Sequence, residues 1–261
     1  MSEIHYLIDT LINYWPIIVL FFIIAILYAS VGFGGGSSYL TVLALTPLPF
    51  VQIRAMALLC NITVVSGSSY LYIKKHLLDR DKVLPLVIMS IPMAFIGGYL
   101  KINQQVFYVL LGFTLLIAAI FMWQNNQFIQ RKAIMTSKYT LWHNLVIGGL
   151  VGFISGMVGI GGGIFLAPIL YLTNWDTPKK IAATSSFFIL VNSLAGLAGQ
   201  ILNPDFSINP YLSFWLIISV LIGGQLGSRL SLAFLMPNQL KKVTAVLIAF
   251  VAVRLLWKYL L

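Results

Sequence analysis

Charged residues are scarce in this chain: of its 261 residues only 8% are Asp, Glu, Lys or Arg, whereas 60% are hydrophobic. Soluble domains carry about 25% charged residues, because a surface that faces water needs them. A soluble fold of this composition would expose apolar patches far larger than monomers usually tolerate. The sequence therefore predicts an integral membrane protein whose first partner is the lipid bilayer, and it excludes soluble enzymes and nucleic-acid-binding proteins.

Cysteine and acidic residues are rare as well. The single cysteine, Cys60, excludes a disulfide framework and a thiolate metal cluster, and we predict neither a metal site nor a cofactor. We assign all six acidic residues to the N-terminal tail or to loops: Glu3, Asp9, Asp79, Asp81, Asp176 and Asp205. Transporters of cations and protons usually place a carboxylate inside the membrane. Its absence from the apolar segments disfavours a cation substrate.

Long apolar runs recur along the chain, and most approach the roughly 20 residues that a membrane-spanning helix needs. Seven runs are continuous, at residues 11–31, 55–73, 83–100, 106–123, 181–202, 211–230 and 240–259, and two are short or interrupted by glycines, at 34–48 and 145–172. None shows the alternation of a β-barrel strand. We predict an all-α integral membrane protein of about eight to ten helical segments. The first run follows no basic stretch, so we expect a retained helix and not a signal peptide.

An internal repeat organises these segments. The pattern V-G-(apolar)-G-G-G occurs at Val31–Gly36 and again at Val158–Gly163, and the tripeptide I-G-G occurs at 96–98 and again at 222–224. Self-similarity at a fixed spacing indicates a duplicated structural unit. We therefore predict a first membrane repeat at residues 1–123, a cytoplasmic linker at 124–141 and a second membrane repeat at 142–261.

The basic residues indicate how the repeats are oriented. Suppose that each half crosses the membrane an odd number of times and that the N-terminus lies outside. Twelve of the sixteen basic residues then fall on the inner side, and four stay on the outer side: Arg54, Lys101, Arg254 and Lys258. Cytoplasmic loops collect Lys and Arg. This distribution favours two repeats of inverted topology over parallel repeats.

The two glycine triplets predict broken helices. Each glycine weakens a helix by about 1 kcal/mol relative to alanine, and three in succession point around the helix, so they cannot all serve one packing face. Broken helices at membrane depth are tolerated where protein or a wet cavity satisfies the backbone. Paired interruptions at matching positions of two halves indicate the binding site of a transporter, and a new helix N-terminus there attracts an anion.

We predict a central site for a small anionic substrate between these two breaks. Backbone N–H groups would hold the anion at Gly34, Gly35, Gly36, Ser37, Gly161, Gly162 and Gly163, and neutral side chains would complete the site at Asn61, Thr184, Ser185 and Asn192. The alternative for the two asparagines is interhelical hydrogen bonding that serves packing, worth about 0.6 kcal/mol on average. The sequence leaves both readings open.

These motifs resemble the TauE/SafE family of sulfite and organosulfonate exporters. The resemblance rests on the two glycine motifs, Pro168, the segment 222–227 and the set Asn61, Thr184 and Asn192, and it covers about residues 12 to 258. Many members of the family have threonine immediately before the first-half asparagine, where this chain has Cys60. The resemblance implies a multi-pass secondary transporter with two inverted repeats in the bacterial inner membrane, which moves small sulfur-containing anions such as sulfite or sulfoacetate.

We interpret the chain as an exporter that works by alternating access. A membrane potential that is negative inside contributes about 2.3 kcal/mol per charge per 100 mV, so an anion can leave without a proton relay. The alternatives are a passive anion channel and a carrier of another small anion with uptake direction. An intramembrane serine protease built on Ser155 and His143 lacks the G-x-S-G pattern, so we predict no enzyme. The sequence leaves a monomer and a homodimer open.

Overall fold

The computed structural model describes residues 2–31, 33–123, 141–173, 175–230 and 237–260, and every regular element in these ranges is an α-helix. Ten helices follow one another: α1 (Ser2–Val31), α2 (Gly36–Leu43), α3 (Phe50–Lys74), α4 (Arg80–Tyr99), α5 (Gln104–Trp123), α6 (Leu141–Val158), α7 (Gly163–Leu172), α8 (Pro178–Ile201), α9 (Pro210–Leu230) and α10 (Pro237–Leu260). The predicted all-α class is confirmed. The predicted linker at 124–141 lies outside the described residues except for Leu141, and the domain boundaries stay a prediction.

Six of the described helices are long and apolar enough to cross a membrane: α1, α3, α4, α6, α8 and α9. The first is longer than expected, because it begins at Ser2 and its 30 residues span about 45 Å. This exceeds the roughly 30 Å of a hydrocarbon core. Glu3 and Asp9, which we expected in a tail or loop, therefore belong to the first turns of α1, and neither is buried.

Two helices are too short to cross a membrane, and both begin at a glycine triplet. α2 has 8 residues and starts at Gly36, whereas α7 has 10 residues and starts at Gly163. At 1.5 Å per residue they span about 12 and 15 Å. The predicted glycine-broken helices are thus present: α1 and α6 each end shortly before a triplet, and a short helix leaves from it.

The packing of the helices follows the order of the two halves, α1–α5 and α6–α10. α1 packs on α9. Their counterparts in the opposite halves, α6 and α4, pack on each other in the same way. α3 packs on its own counterpart α8, and α5 packs on its counterpart α10. Every large contact between the halves therefore has an equivalent under exchange, as expected for a duplicated unit.

Equivalent helices of the two halves run in opposite directions. In the crossing of α3 and α8, Ser69 lies beside Ser186, with 3.4 Å between their Oγ atoms, whereas Leu58 lies near Gly196. Residue numbers thus rise along α3 in the direction in which they fall along α8, so the two helices are antiparallel. The same course holds for α5 and α10, where Tyr108 stacks on the ring of Tyr259 and Gly112 contacts Leu256. This is the course that an inverted topology requires.

Ion pairs identify the loops that share each end of the molecule. Lys82 Nζ lies 2.7 Å from Asp176 Oδ2, which brings the start of α4 beside the loop before α8; we call this the Lys82 end. At the opposite end, the Lys101 end, Lys101 Nζ lies 3.2 Å from Asp205 Oδ2. The first pair joins loops that we predict to be cytoplasmic, and the second joins loops that we predict to be external. The side of the membrane that each end faces stays a prediction.

Glycines of α6 let its backbone contact the backbone of α4. Gly148, Gly152 and Gly156 recur every four residues on one face of α6. A Cβ atom at Gly152 would lie 2.5 Å from the carbonyl oxygen of Ser90 and 2.7 Å from its Cα. Because these neighbours are backbone atoms, neither helix can relieve the clash by turning a side chain.

We predict that Gly152→Ala destabilises the protein by about 1–3 kcal/mol, the usual cost of overpacking a tight contact. The control is Gly149→Ala on the same helix, because the nearest neighbours of its added methyl group would be side-chain atoms, of Met89 at 3.0 Å and of Met93 at 3.8 Å. Thermal unfolding of both variants in detergent checks this prediction. Equal unfolding temperatures for the two variants would contradict it.

Asp176 holds the loops of the Lys82 end together through charge. Burial alone would raise the pKa of this carboxyl group, but the hydrogen bonds from Lys82 and from the Thr177 N–H and the charges of Lys82 and Lys180 outweigh burial. The pKa of Asp176 therefore lies below its usual value. A group whose pKa is lowered by folding stabilises the folded state above its unfolded pKa, and this contribution is lost as the pH falls.

We predict that Asp176→Asn lowers the unfolding temperature near pH 7 and flattens its dependence on pH. The wild-type protein should lose the Asp176 contribution as the pH falls below about 4, the pKa of an unfolded aspartate. Asp81→Asn, at an exposed position in the first turn of α4, is the control. If Asp176→Asn and Asp81→Asn give the same pH dependence, the ion pair does not stabilise this end.

Candidate functional site

Left-handed backbone conformations mark both glycine triplets. Gly35 has a φ angle of +83°, and Gly159, Gly161 and Gly162 have φ angles of +89°, +79° and +83°. Residues with a Cβ atom rarely adopt such angles, whereas glycine does so freely. These turns reverse the chain between α1 and α2 and between α6 and α7. Three of the predicted site residues, Gly35, Gly161 and Gly162, are therefore explained by the turns that they form.

Asn61, in the middle of α3, connects the two breaks. Its side chain is fully buried, and Nδ2 donates a 2.8 Å hydrogen bond to the carbonyl oxygen of Ile160 in the second break. A Cβ atom at Gly34 in the first break would lie 2.6 Å from Asn61 Oδ1, and one at Gly36 would lie 2.6 Å from Ile160 O. The predicted residues Gly34, Gly36 and Asn61 are thus brought together at one point.

The second break meets α8 at Ser193 and Ile189. A Cβ atom at Gly161 would lie 2.6 Å from Ser193 Oγ and 3.1 Å from Asn61 Nδ2, and one at Gly163 would collide with the side chain of Ile189. Ile189 therefore occupies in the second half the place that Asn61 occupies in the first. Ser193, one turn further along α8, is a candidate site residue that we did not predict. The sequence carries no signal for it, because its place beside Gly161 depends on how α8 packs against the break.

The other predicted side chains lie on α8, with less direct contact to the breaks. Asn192 Nδ2 donates to the carbonyl oxygen of Phe188 on its own helix, at 2.8 Å. The carbonyl oxygen of Ser185 would lie 3.8 Å from a Cβ atom at Gly163, so its backbone borders the second break. Thr184 is fully buried. Ser37, in the first turn of α2, is buried and its carbonyl oxygen accepts a hydrogen bond from Thr41 Oγ1 at 2.7 Å.

Buried polar atoms without a hydrogen-bond partner are concentrated on α3 and α8. Among the described residues they include Asn61 Oδ1, Ser68 Oγ, Thr184 Oγ1, Ser185 Oγ, Asn192 Oδ1 and Ser193 Oγ. A buried polar group that lacks a partner costs about 1–3 kcal/mol, and native proteins leave few such groups unexplained. Their concentration where these two helices cross indicates that water or a ligand completes their hydrogen bonds.

Arg54 is a buried cation that the sequence reading misplaced. We assigned it to a loop on the outer side, whereas it lies in the second turn of α3 and is 3% exposed. Its Nη2 atom donates to the carbonyl oxygens of Gly97, Gly98 and Gly156 at 3.3–3.4 Å. An arginine so close to a long apolar run is the signal that identifies it, because ionisable residues within membrane segments usually have a function.

The position of Arg54 relates it to the second break. A Cβ atom at Gly159 would lie 3.2 Å from both the Cα and the carbonyl oxygen of Arg54. All six acidic residues of the chain lie within the described ranges, and none of them is buried. Arg54 is therefore the one charged residue among the described side chains that is buried.

Comparison with known proteins assigns the family. The chain matches the family model of the sulfite exporter TauE/SafE over residues 17–255. The chain belongs to the TauE/SafE family. It is 32% identical over 240 residues to a probable membrane transporter protein, y4hK, of Sinorhizobium fredii, which covers 92% of this chain and 96% of the relative. It is 28% identical over 227 residues to a probable membrane transporter protein, YunE, of Bacillus subtilis, over 77% of this chain and 82% of the relative.

Membership of the TauE/SafE family confirms the predicted resemblance and makes the protein a multi-pass membrane transporter. Because the family consists of transporters, the prediction that the chain is not an enzyme is confirmed as well. In the structure Ser155 Oγ donates to the carbonyl oxygen of Gly152 on its own helix, at 2.9 Å. No solved structure matches the chain significantly.

We predict that Asn61→Leu destabilises this TauE/SafE protein more than Asn192→Leu. Loss of Asn61 removes a hydrogen bond between segments and leaves the buried Ile160 carbonyl oxygen without this donor, which costs about 1–3 kcal/mol. Asn192 donates to a carbonyl oxygen of its own helix, and its Oδ1 has no partner. Thermal unfolding of the two variants in detergent checks this prediction. A larger loss for Asn192→Leu would contradict the role given to Asn61.

Proposed function

We propose that this protein is a secondary transporter that exports small sulfur-containing anions, such as sulfite, sulfoacetate or a similar sulfonate, across the bacterial inner membrane by alternating access. The observation that carries the proposal is the meeting of two helix breaks at Asn61, beside buried polar atoms that lack partners. Binding sites of transporters built from repeats lie at such interfaces of discontinuous helices.

The helix starts at the breaks favour a negative charge. The first N–H groups of a helix have no intrahelical acceptor. In α2 the N–H of Tyr39 donates to Gly35 O at 3.0 Å, so the N–H groups of Gly36, Ser37 and Ser38 precede the intrahelical ladder. In α7 the N–H of Leu166 donates to Gly162 O, also at 3.0 Å. Each helix dipole is worth about 0.3–1 kcal/mol, and up to about 2 kcal/mol when partly buried.

The distribution of charge supports an anion over a cation. None of the six acidic side chains is buried, and Asp176, which lies closest to the core, is engaged by Lys82 and Lys180 at the Lys82 end. A cation at the breaks would therefore meet no carboxylate. Neutral donors such as the hydroxyl groups of Ser193 and Thr184 bind an oxyanion with moderate strength, which allows its release. The interior-negative potential favours export.

The closed surroundings of the breaks support a carrier over a passive channel. Asn61, Thr184, Ser185, Asn192 and Ser193 are each 0% exposed. An anion at this point would be occluded from both ends, as in an intermediate of alternating access. A channel would instead need a continuous opening between the Lys82 end and the Lys101 end. The direction of net flux distinguishes the proposed export from uptake.

Flux measurements in proteoliposomes test the proposal. We expect saturable sulfite or sulfoacetate efflux, counterflow when unlabelled anion is present on the far side, and faster efflux when the lumen is made negative. A flux without saturation or counterflow would indicate a channel. The absence of any flux with these anions would overturn the proposed substrate class, and net movement only into negative vesicles would overturn the proposed direction.

We predict that Ser193→Ala weakens transport without weakening the fold. Ser193 Oγ has no hydrogen-bond partner and lies at Gly161, so its removal breaks no bond within the protein but removes a donor for the anion. A hydrogen bond to a charged group is worth about 1.5–3 kcal/mol, so the half-saturating anion concentration should rise about tenfold or more.

The matched control is Ser90→Ala, because Ser90 is also buried but lies on α4 and its Oγ donates to the carbonyl oxygen of Val87 on the same helix. Its transport kinetics should equal those of the wild type. Equal kinetics of Ser193→Ala and the wild type, at unchanged thermal stability, would exclude Ser193 from the site.

A further inference from the structure

A pocket at the Lys101 end combines a buried cation with a buried amide. It has a cavity volume of about 30 Å³, is open to the surface, and is lined by Phe50, Val51, Arg54, Gly98, Leu100, Lys101, Ile102, Gln200, Asn203 and Asp205. About 10–15 Å³ of such space holds one water molecule, so the pocket holds about two, and a small oxyanion bound there extends into the solution at its open side. It is separate from the contact of Asn61 with the glycine breaks.

Arg54 supplies this pocket with a positive charge that the protein does not balance. No carboxylate lies within 4.0 Å of its guanidinium among the described residues. Asp205 lines the same pocket but is paired with Lys101 at 3.2 Å. Moving a charge out of water costs several kcal/mol unless a partner compensates it, and the interior of a membrane protein intensifies this cost.

The hydrogen bonds of Arg54 are also incomplete. A guanidinium carries five N–H donors, yet Nε is buried without a partner. The three carbonyl contacts all involve Nη2, at 3.3–3.4 Å, and exceed the usual 2.7–3.2 Å. Two of these carbonyls belong to the last turn of α4, whose carbonyl groups need donors. The hydrogen bonds to this turn explain part of the position of Arg54. They involve neither its Nε donor nor a partner for its positive charge.

Gln200 gives a second and independent indication of a ligand. It lies near the end of α8 and is 3% exposed, yet both its Nε2 and its Oε1 lack a hydrogen-bond partner. The amide nitrogen of a glutamine is a neutral donor that suits an oxyanion. Asn203, by contrast, is satisfied, because its Nδ2 donates to the carbonyl oxygen of Tyr99 and its Oδ1 accepts from the N–H of Asp205.

We infer that Arg54 and Gln200 form a second anion site, through which the transported anion passes between the glycine breaks and the solution at the Lys101 end. The inference rests on the proposed function. Arg54 connects the two sites, because its backbone contacts Gly159 of the second break while its side chain lines the pocket. The ligand class is a small oxyanion, which completes the donors of Arg54 and accepts a hydrogen bond from Gln200.

Calorimetric titration of the full-length protein with sulfite, in detergent or nanodiscs, tests this inference. We expect two classes of sulfite site in the wild type. Gln200→Leu should weaken one class about tenfold or more, since a hydrogen bond to a charged ligand is lost, and should leave the fold intact because the amide has no partner within the protein. Ser193→Ala should weaken the other class.

Variants of Arg54 separate binding from the capping of α4. Arg54→Lys retains the charge and should bind sulfite at the pocket more weakly than the wild type but more tightly than Arg54→Gln. The control is Arg254→Gln, which removes an exposed arginine on α10 and should leave both classes unchanged. If Arg54→Gln lowers only the thermal stability and Gln200→Leu binds sulfite as the wild type does, the residues are structural and the inference is wrong.

Flux measurements keep this inference distinguishable from the proposed transport function. Passage through the pocket requires that Gln200→Leu also raise the half-saturating sulfite concentration of flux. Two binding classes with an unchanged flux in Gln200→Leu would overturn the pathway. Binding at the pocket in a wild-type protein that moves no sulfite would instead overturn the proposed transport of this anion, and a single class that Gln200→Leu does not affect would overturn the second site.

Discussion

The structure depends on one constraint: backbone that leaves the helical conformation at membrane depth must find its hydrogen bonds inside the protein. Here the helical conformation is interrupted at two glycine breaks. Asn61 supports both of them, because its Nδ2 donates to Ile160 O while Gly34 and Gly36 lie against its amide. The glycines are needed at these places for two reasons. Some of them adopt left-handed φ angles. At others, a Cβ atom would collide with the side chain of Asn61.

The same constraint explains why the helices of the two halves alternate in the bundle. A break can be buried only if helices surround it, and the crossing of α3 with α8 supplies two long helices at that level. α4 with α6 and α1 with α9 then enclose the crossing through close glycine contacts, as at Gly152 against Ser90 and at Gly227 against Ile26. The fold thus buries a polar centre within an apolar exterior, which is the requirement of a solute carrier in a membrane.

The sequence predicts most of this architecture, because composition and repetition report directly on membrane helices and on their duplication. The helical class and the glycine breaks follow from residues that are unusual where they stand. Asn61 is a candidate site residue for the same reason, but its hydrogen bond to the second break appears only in the structure. The sequence could not predict that Ile189 takes the place of Asn61 in the second half, because that match depends on how α8 packs against the break. Nor could it predict the burial of Arg54, since a basic residue near a helix end usually reaches the interface.

The departures from symmetry determine which polar groups the proposed anion would meet along the crossing of α3 and α8. Toward the Lys82 end the two helices present hydroxyl groups, including Ser69 and Ser186, whose Oγ atoms are 3.4 Å apart. At the breaks the first half supplies Asn61 where the second supplies Ile189. Toward the Lys101 end the first half adds the cation Arg54. The polar groups along the crossing therefore change from neutral hydroxyls to a buried guanidinium toward the Lys101 end, an order that under the proposed function would draw the anion toward the side that we predict to be external.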